Sequence, residues 1–221
     1  MIRIENTDIV GWDHAIRGAR NPMNSWAKSD SSSELTGYCV GKNDHDLMMK
    51  LRNAGTDHRK FMRMITVYAD ITAPLYWWKE YDTYKVGTVA NSCSTMHKIA
   101  DKEFTLDDFS HEHLLDDGPI IRGNNCWLSP MDCLREQIFT LNMFREMYLE
   151  TKDKTWWWQM IQMLPSSYNQ KRTVMLNYEV LANIYKSRKN HKLDEWRSLC
   201  DWIETLPYGE LITGEDNGDT V

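Results

Sequence analysis

The sequence predicts an α+β fold, a central mostly antiparallel sheet flanked by long helices. Two observations carry this. The stretch Met62–Ile71 is rich in β-branched and apolar residues, with Met64-Ile65-Thr66-Val67-Tyr68 at its centre. Around it lie at least four stretches whose apolar residues recur at helical spacing. With 221 residues and 42% apolar content, the chain is long enough for one domain, 1–221, with a sizeable core.

Bulk properties narrow the function. A net charge of −6 and a pI near 5.6 give no electrostatic grip on nucleic acid or an anionic membrane. Five cysteines without a Cys-x-x-Cys pair read as reduced thiols, and MIRIENTDIVGW has no signal-peptide pattern. No apolar run is long enough to span a bilayer, so a cytoplasmic soluble protein is expected. Ten Trp and thirteen Met exceed what one core needs, which suggests subunit interfaces and a homo-oligomer.

In chain order, Ile2 and Ile4 suggest a strand. Asn21 to Glu34, with its Asn-Pro and Ser run, reads as a surface loop, and Arg20 before it as a structural surface arginine. Asp44 to Ala54 reads as a helix capped by Asp44, with Leu47, Leu51 and Ala54 on one face and Gly55 as its stop. His58 fits a solvated turn. Pro74 suits the first turn of the next helix, and Gly87 to Thr95 is a small-residue loop. On pattern alone that loop caps a helix; its N–H groups and hydroxyls could also cradle an anionic or heterocyclic ligand.

Asp101–Ser129 is acidic and reads as a solvated insertion. His111 and His113 lack a third ligand at metal-site spacing, so no metal is assigned. Ser129-Pro130 opens a helix through Leu134, Ile138, Leu141 and Tyr148 to about Glu150. Trp156-Trp157-Trp158 opens another, ending at Leu164-Pro165. Three consecutive Trp cannot share one face, so at least one belongs at an interface or over a ligand. A last amphipathic helix carries Leu193, Trp196, Cys200 and Ile203, and the acidic, Gly-rich tail after about residue 209 is expected to be disordered.

Two regions together resemble the flavin-dependent thymidylate synthases, the ThyX family. From Ala73-Pro74 the family's Arg-His-Arg motif falls on Thr83-Tyr84-Lys85, and its later Asn and Ser on Asn91 and Ser94. Its Arg-Tyr element becomes Met96-His97. Leu164-Pro165 to Arg188 then lies without gaps on the family's Leu-Pro segment, with identities at Asn177, Leu181, Asn183 and Arg188. The resemblance implies a ThyX-like fold and one-carbon transfer to dUMP or a related pyrimidine nucleotide. FAD would be the cofactor, with NADPH and methylenetetrahydrofolate as co-reactants. It implies Asn177, Asn183 and Lys85 for the cofactor, Lys79, Asn91, Ser94 and Arg188 for the nucleotide, Arg188 as the polarising catalytic group, and a homotetramer.

The family's phosphate-binding cations are mostly replaced, since Met96 and Ile161 are also apolar where the family has arginines. One ammonium does not substitute for a bidentate guanidinium fork. Three readings remain open at this stage: a divergent flavin-dependent methyl- or hydroxymethyl-transferase, a non-catalytic nucleotide- or protein-binding protein, and a metal hydrolase using His111 and His113.

Overall fold

Strand β1 (Arg3–Val10) and helix α1 (Trp12–Arg20) open the chain, joined at Gly11. Gly11 has φ +98°, and a Cβ there would run into the Met64 carbonyl oxygen, so glycine alone fits. A short hairpin follows, β2 (Ser32–Glu34) and β3 (Gly37–Cys39), paired antiparallel, then helix α2 (Lys42–Asn53). Strand β4 (Thr66–Pro74) runs into helix α3 (Leu75–Tyr81), with Pro74 at the N-cap. Next come strand β5 (Val89–Ser92), the single turn α4 (Thr95–Lys98), and the paired short strands β6 (Ile121–Gly123) and β7 (Cys126–Leu128). Helices α5 (Pro130–Thr151) and α6 (Lys154–Met163) precede strand β8 (Asn169–Asn177). Helices α7 (Tyr178–Arg188), α8 (Asp194–Glu204) and α9 (Glu210–Thr213) complete the order.

The computed structural model describes residues 2–35, 37–117, 121–123 and 126–214. Four strands form an antiparallel sheet in the order β1-β4-β8-β5, so the expected fold class holds. The chain folds as two compact units with interleaved segments. One comprises Met1–Arg3, Thr72–Asp82 and Ser92–Arg172; the other Ile4–Ile71, Thr83–Asn91 and Thr173–Val221.

The first unit's core gathers Ile99, Phe104, Phe109, Leu134, Leu141 and Met160. Helix α5 starts where Ser129 and Asp132 form a reciprocal capping box, as Ser129-Pro130 predicts. On α3, Trp77, Trp78 and Tyr81 are all buried, with Trp77 and Tyr81 stacked at 5.2 Å.

In the second unit, α7 and α8 bury Leu181, Ile184, Trp196, Leu199 and Ile203. Trp12 meets Tyr178 edge-on at 5.3 Å, and the Tyr178 hydroxyl donates to the Pro207 carbonyl.

Several expectations are corrected. Helix α2 starts at Lys42, and its N-terminal N–H groups at Asn43 and Asp44 are satisfied by Asp30. Asp44 is no cap; it is fully buried and accepts from Arg20 Nε (2.5 Å), Ser29 Oγ, Ser31 Oγ and the backbone of Asp30 and Ser31. Arg20 is accordingly buried, not a surface residue. Burial raises the Asp44 carboxyl, but bonds from Ser31, Ser29, Arg20 and Asp30 outweigh it and hold the pKa below its ordinary value. The loop Gly87–Thr95 contains β5, and 169–177 is a strand. The acidic stretch is not wholly solvated, because Phe104 and Phe109 are core residues. After Tyr208 the chain still folds, burying Leu211 and Ile212 on α9. The rest of the tail, 215–221, and the Cys126 side chain lie outside the described residues.

Candidate functional site

The second unit assembles the residues around Arg188. Asn177 ends β8 and caps α7, its Oδ1 accepting from Val180 N–H at 3.0 Å. Its Nδ2 faces the Gly87 carbonyl at 3.5 Å. Gly87 has φ +75°, and a Cβ there would sit 2.8 Å from Asn177 Nδ2, so this approach requires glycine.

Three turns on, Arg188 leaves the end of α7, where a cation complements the helix dipole. Its Nε donates to the Tyr84 hydroxyl at 3.0 Å, and its Nη1 lies 2.9 Å from His191 Nε2. The guanidinium carbon sits 4.5 Å from the Trp196 ring centroid and 5.8 Å from that of Tyr84. Trp196 is fully buried, and Tyr84 meets it edge-on at 5.9 Å. A planar cation held by two aromatic rings and two hydrogen-bond partners is fixed in orientation. Such a group recognises a carbonyl oxygen or an anion.

Other site residues of this unit are more dispersed. Lys85 is exposed beside Tyr84, and Asn91 is exposed on β5. Asn183 lies six residues after Asn177, about 240° around a helix, whereas Arg188 lies about 20° around. Asn183 therefore faces away from Arg188, and its Oδ1 accepts from Arg59 Nη2 at 3.1 Å.

In the first unit, Lys79 is exposed on α3, and Ser94 caps α4 by accepting from His97 N–H at 3.2 Å. That unit also holds a second stacked arginine. Arg172 lies 4.2 Å over Trp78, with Nη1 on Asp82 Oδ1 (2.8 Å) and Nε on Gln170 Oε1 (3.0 Å). Gln170 in turn donates to the Cys93 carbonyl and to Thr95 Oγ1.

The buried Cys200 is not an activated nucleophile. Burial, with Asp201 and Glu204 nearby, pushes the Cys200 thiol up to about 11, so no thiolate forms there at neutral pH. Burial also raises the Tyr81 hydroxyl, leaving it neutral. Among the described residues, no group of three or more His, Cys, Asp or Glu is placed to hold a metal, and no helix is long and apolar enough to cross a membrane. His111 turns its Nδ1 onto the Phe109 carbonyl at 2.8 Å.

Sequence reasoning did not foresee that Tyr84 and Trp196 would enclose Arg188. The sequence signals were an aromatic in the motif's central position and a Glu-Trp pair shortly after the helix. Neither shows alone that the rings converge on one guanidinium.

No family model matches the sequence, and no curated protein matches it. Solved structures do match, over nearly the whole chain. Thymidylate synthase X from Helicobacter pylori, with FAD and dUMP, aligns at TM-score 0.68 and 16% identity, covering 97% of this chain and 98% of that one. A UMP/dUMP methylase, PolB from Streptomyces cacaoi, bound with 5-Br dUMP, aligns at TM-score 0.57 and 14% identity, covering 93% and 89%. At these identities the likeness establishes the fold: this chain has the thymidylate synthase X fold.

Proposed function

We propose that the chain binds a pyrimidine nucleotide of the dUMP/UMP class through Arg188 and converts dUMP to dTMP slowly or not at all. The observation behind this is the fixed guanidinium of Arg188 between Tyr84 and Trp196. It can hold a pyrimidine carbonyl and polarise the ring. The two solved structures described above carry dUMP and 5-Br dUMP, which supports the same ligand class here.

A flavin fits the chain's own residues less well. Asn177 uses its amide oxygen on the α7 backbone and turns its nitrogen towards Gly87, and Asn183 gives its oxygen to Arg59. Lys85 alone remains of the motif's cations. Methylenetetrahydrofolate and NADPH would act here only where FAD binds.

A homotetramer is part of the proposal. Its support is an apolar stripe on α5, where Phe139, Met143 and Met147 recur every four residues with exposures of 62%, 49% and 36%. Trp158 on α6, from the Trp triplet, is 43% exposed.

Calorimetry with dUMP and UMP tests the nucleotide reading. Truncating a buried, hydrogen-bonded charge contact costs about 2–5 kcal/mol, so Arg188→Ala should weaken binding by about thirtyfold or more. Unchanged affinity in the variant would reject the role of Arg188. An absorbance spectrum of the pure protein tests the flavin separately.

A further inference from the structure

A cavity in the second unit gathers positive charge that the proposed nucleotide site does not use. It encloses about 190 Å³ and is lined by Arg52, Arg59, Lys186 and Lys189, with Tyr185 and Asn183 between them. Among the described residues, no carboxylate lines it. Two acids are bonded to lining side chains from outside the hollow: Glu179 accepts from Arg59, and also from Arg63, and Glu204 accepts from the Tyr185 hydroxyl at 2.6 Å.

Each cation has a local structural reason. Arg52 donates from Nε and Nη2 to the Leu211 and Ile212 carbonyls of α9, at 3.2 and 3.1 Å. Lys186 and Lys189 lie near the C-terminus of α7, where the helix dipole favours positive charge. Those reasons do not require all four to face one hollow. Burial, and secondarily the charge of Arg59, hold the Arg52 pKa below its ordinary value. An anion in the hollow would offset the repulsion between the two guanidinium groups.

We infer that this cavity is a binding site for a compact oxyanion of the diphosphate class, free or as the end of a phosphate ester. Arginine forks and lysine ammonium groups around one hollow are the chemistry that recognises phosphate oxygens. The volume, below that of pockets for drug-sized ligands, suits an anionic group without an accompanying base. The inference does not rest on the nucleotide reading.

Calorimetric titration with inorganic pyrophosphate in low-salt buffer tests it. Saturable binding, one per chain, is expected. Lys186→Gln with Lys189→Gln should weaken it at least about tenfold, because charge-assisted contacts are removed. Both lysines are exposed, so the variant should keep its fold, which circular dichroism checks. Lys28→Gln with Lys192→Gln, which removes the same charge elsewhere on the surface, should change nothing. Comparable binding of ADP would support a phosphate ester as ligand; preference for pyrophosphate would support a free anion. Absent or non-saturable binding, or equal weakening in the two lysine pairs, would overturn the inference.

Discussion

Replacing Asp44 by asparagine should expose how much of the second unit depends on one carboxylate. Its side chain and that of Arg20 are 0% and 5% exposed, and the pair is bonded at 2.5 Å. Four further donors converge on it: two hydroxyls at 2.7 Å and two backbone N–H groups at 3.0 and 3.1 Å. An asparagine keeps the shape but loses the charge, and its NH2 end must face donors. Breaking a buried pair by removing one partner costs about 3–5 kcal/mol. The lower figure applies here, because the amide oxygen still accepts, and at about 2–4 °C per kcal/mol it lowers Tm by about 6–12 °C.

The pH dependence has a definite sign. The folded pKa of Asp44 lies below its ordinary value of 3.8, so the carboxylate's contribution is fully present above that value. It is lost as pH falls through the folded pKa. Urea unfolding of wild type and Asp44→Asn at pH 7 and at steps below pH 4 measures this. The gap should be widest at pH 7 and narrow on acidification. A variant within about 1 kcal/mol of wild type at pH 7, or a gap indifferent to pH, would refute the assignment of stability to this charge.

Other predictions concern the site. Wild-type protein should release little or no tritium from the dUMP ring, and Thr83→Arg, Tyr84→His, Lys85→Arg should not restore release, because Met96 and Ile161 remain apolar. Robust dTMP formation by the wild type would contradict this. Gly87→Ala should destabilise the protein by about 1 kcal/mol or more, given its positive φ and the 2.8 Å approach to Asn177; chemical denaturation reads this directly. Phe139→Glu with Met143→Glu should lower the mass seen by light scattering, and an unchanged mass would remove the α5 stripe from any subunit contact.

The long helix α5 was legible because cap, proline and periodic apolar residues agree along its length, and α6 was placed from the Trp triplet and the Leu164-Pro165 stop, without its Asp153 cap. The strand β8 was not. Its first half is Asn-Gln-Lys-Arg-Thr, and only Val174 and Leu176 alternate into the core. The short β5 was hidden for a similar reason: its four residues are all exposed, so no buried face marks it. Asp44 looked like a cap because it precedes Leu47, yet the capping carboxylate comes from Asp30, remote in sequence. Burial of Arg20 depends on that same long-range arrangement. In the candidate site, Asn177 and Arg188 could be placed on one face from spacing alone. The ring pair around Arg188 joins positions 84, 188 and 196, which only the folded chain brings together.

The interleaving of the two units sets the order in which they can be completed during synthesis. The first unit has all its segments once Arg172 has been made, whereas the second still lacks everything from Thr173 onward. Residues 4–71 therefore wait for about 100 further residues, roughly 5–20 s at ordinary elongation rates, before α7 and α8 can cover them. During that interval Met62, Ile65 and Val67 have no completed core. The nascent chain in this window is where chaperone dependence and aggregation should concentrate.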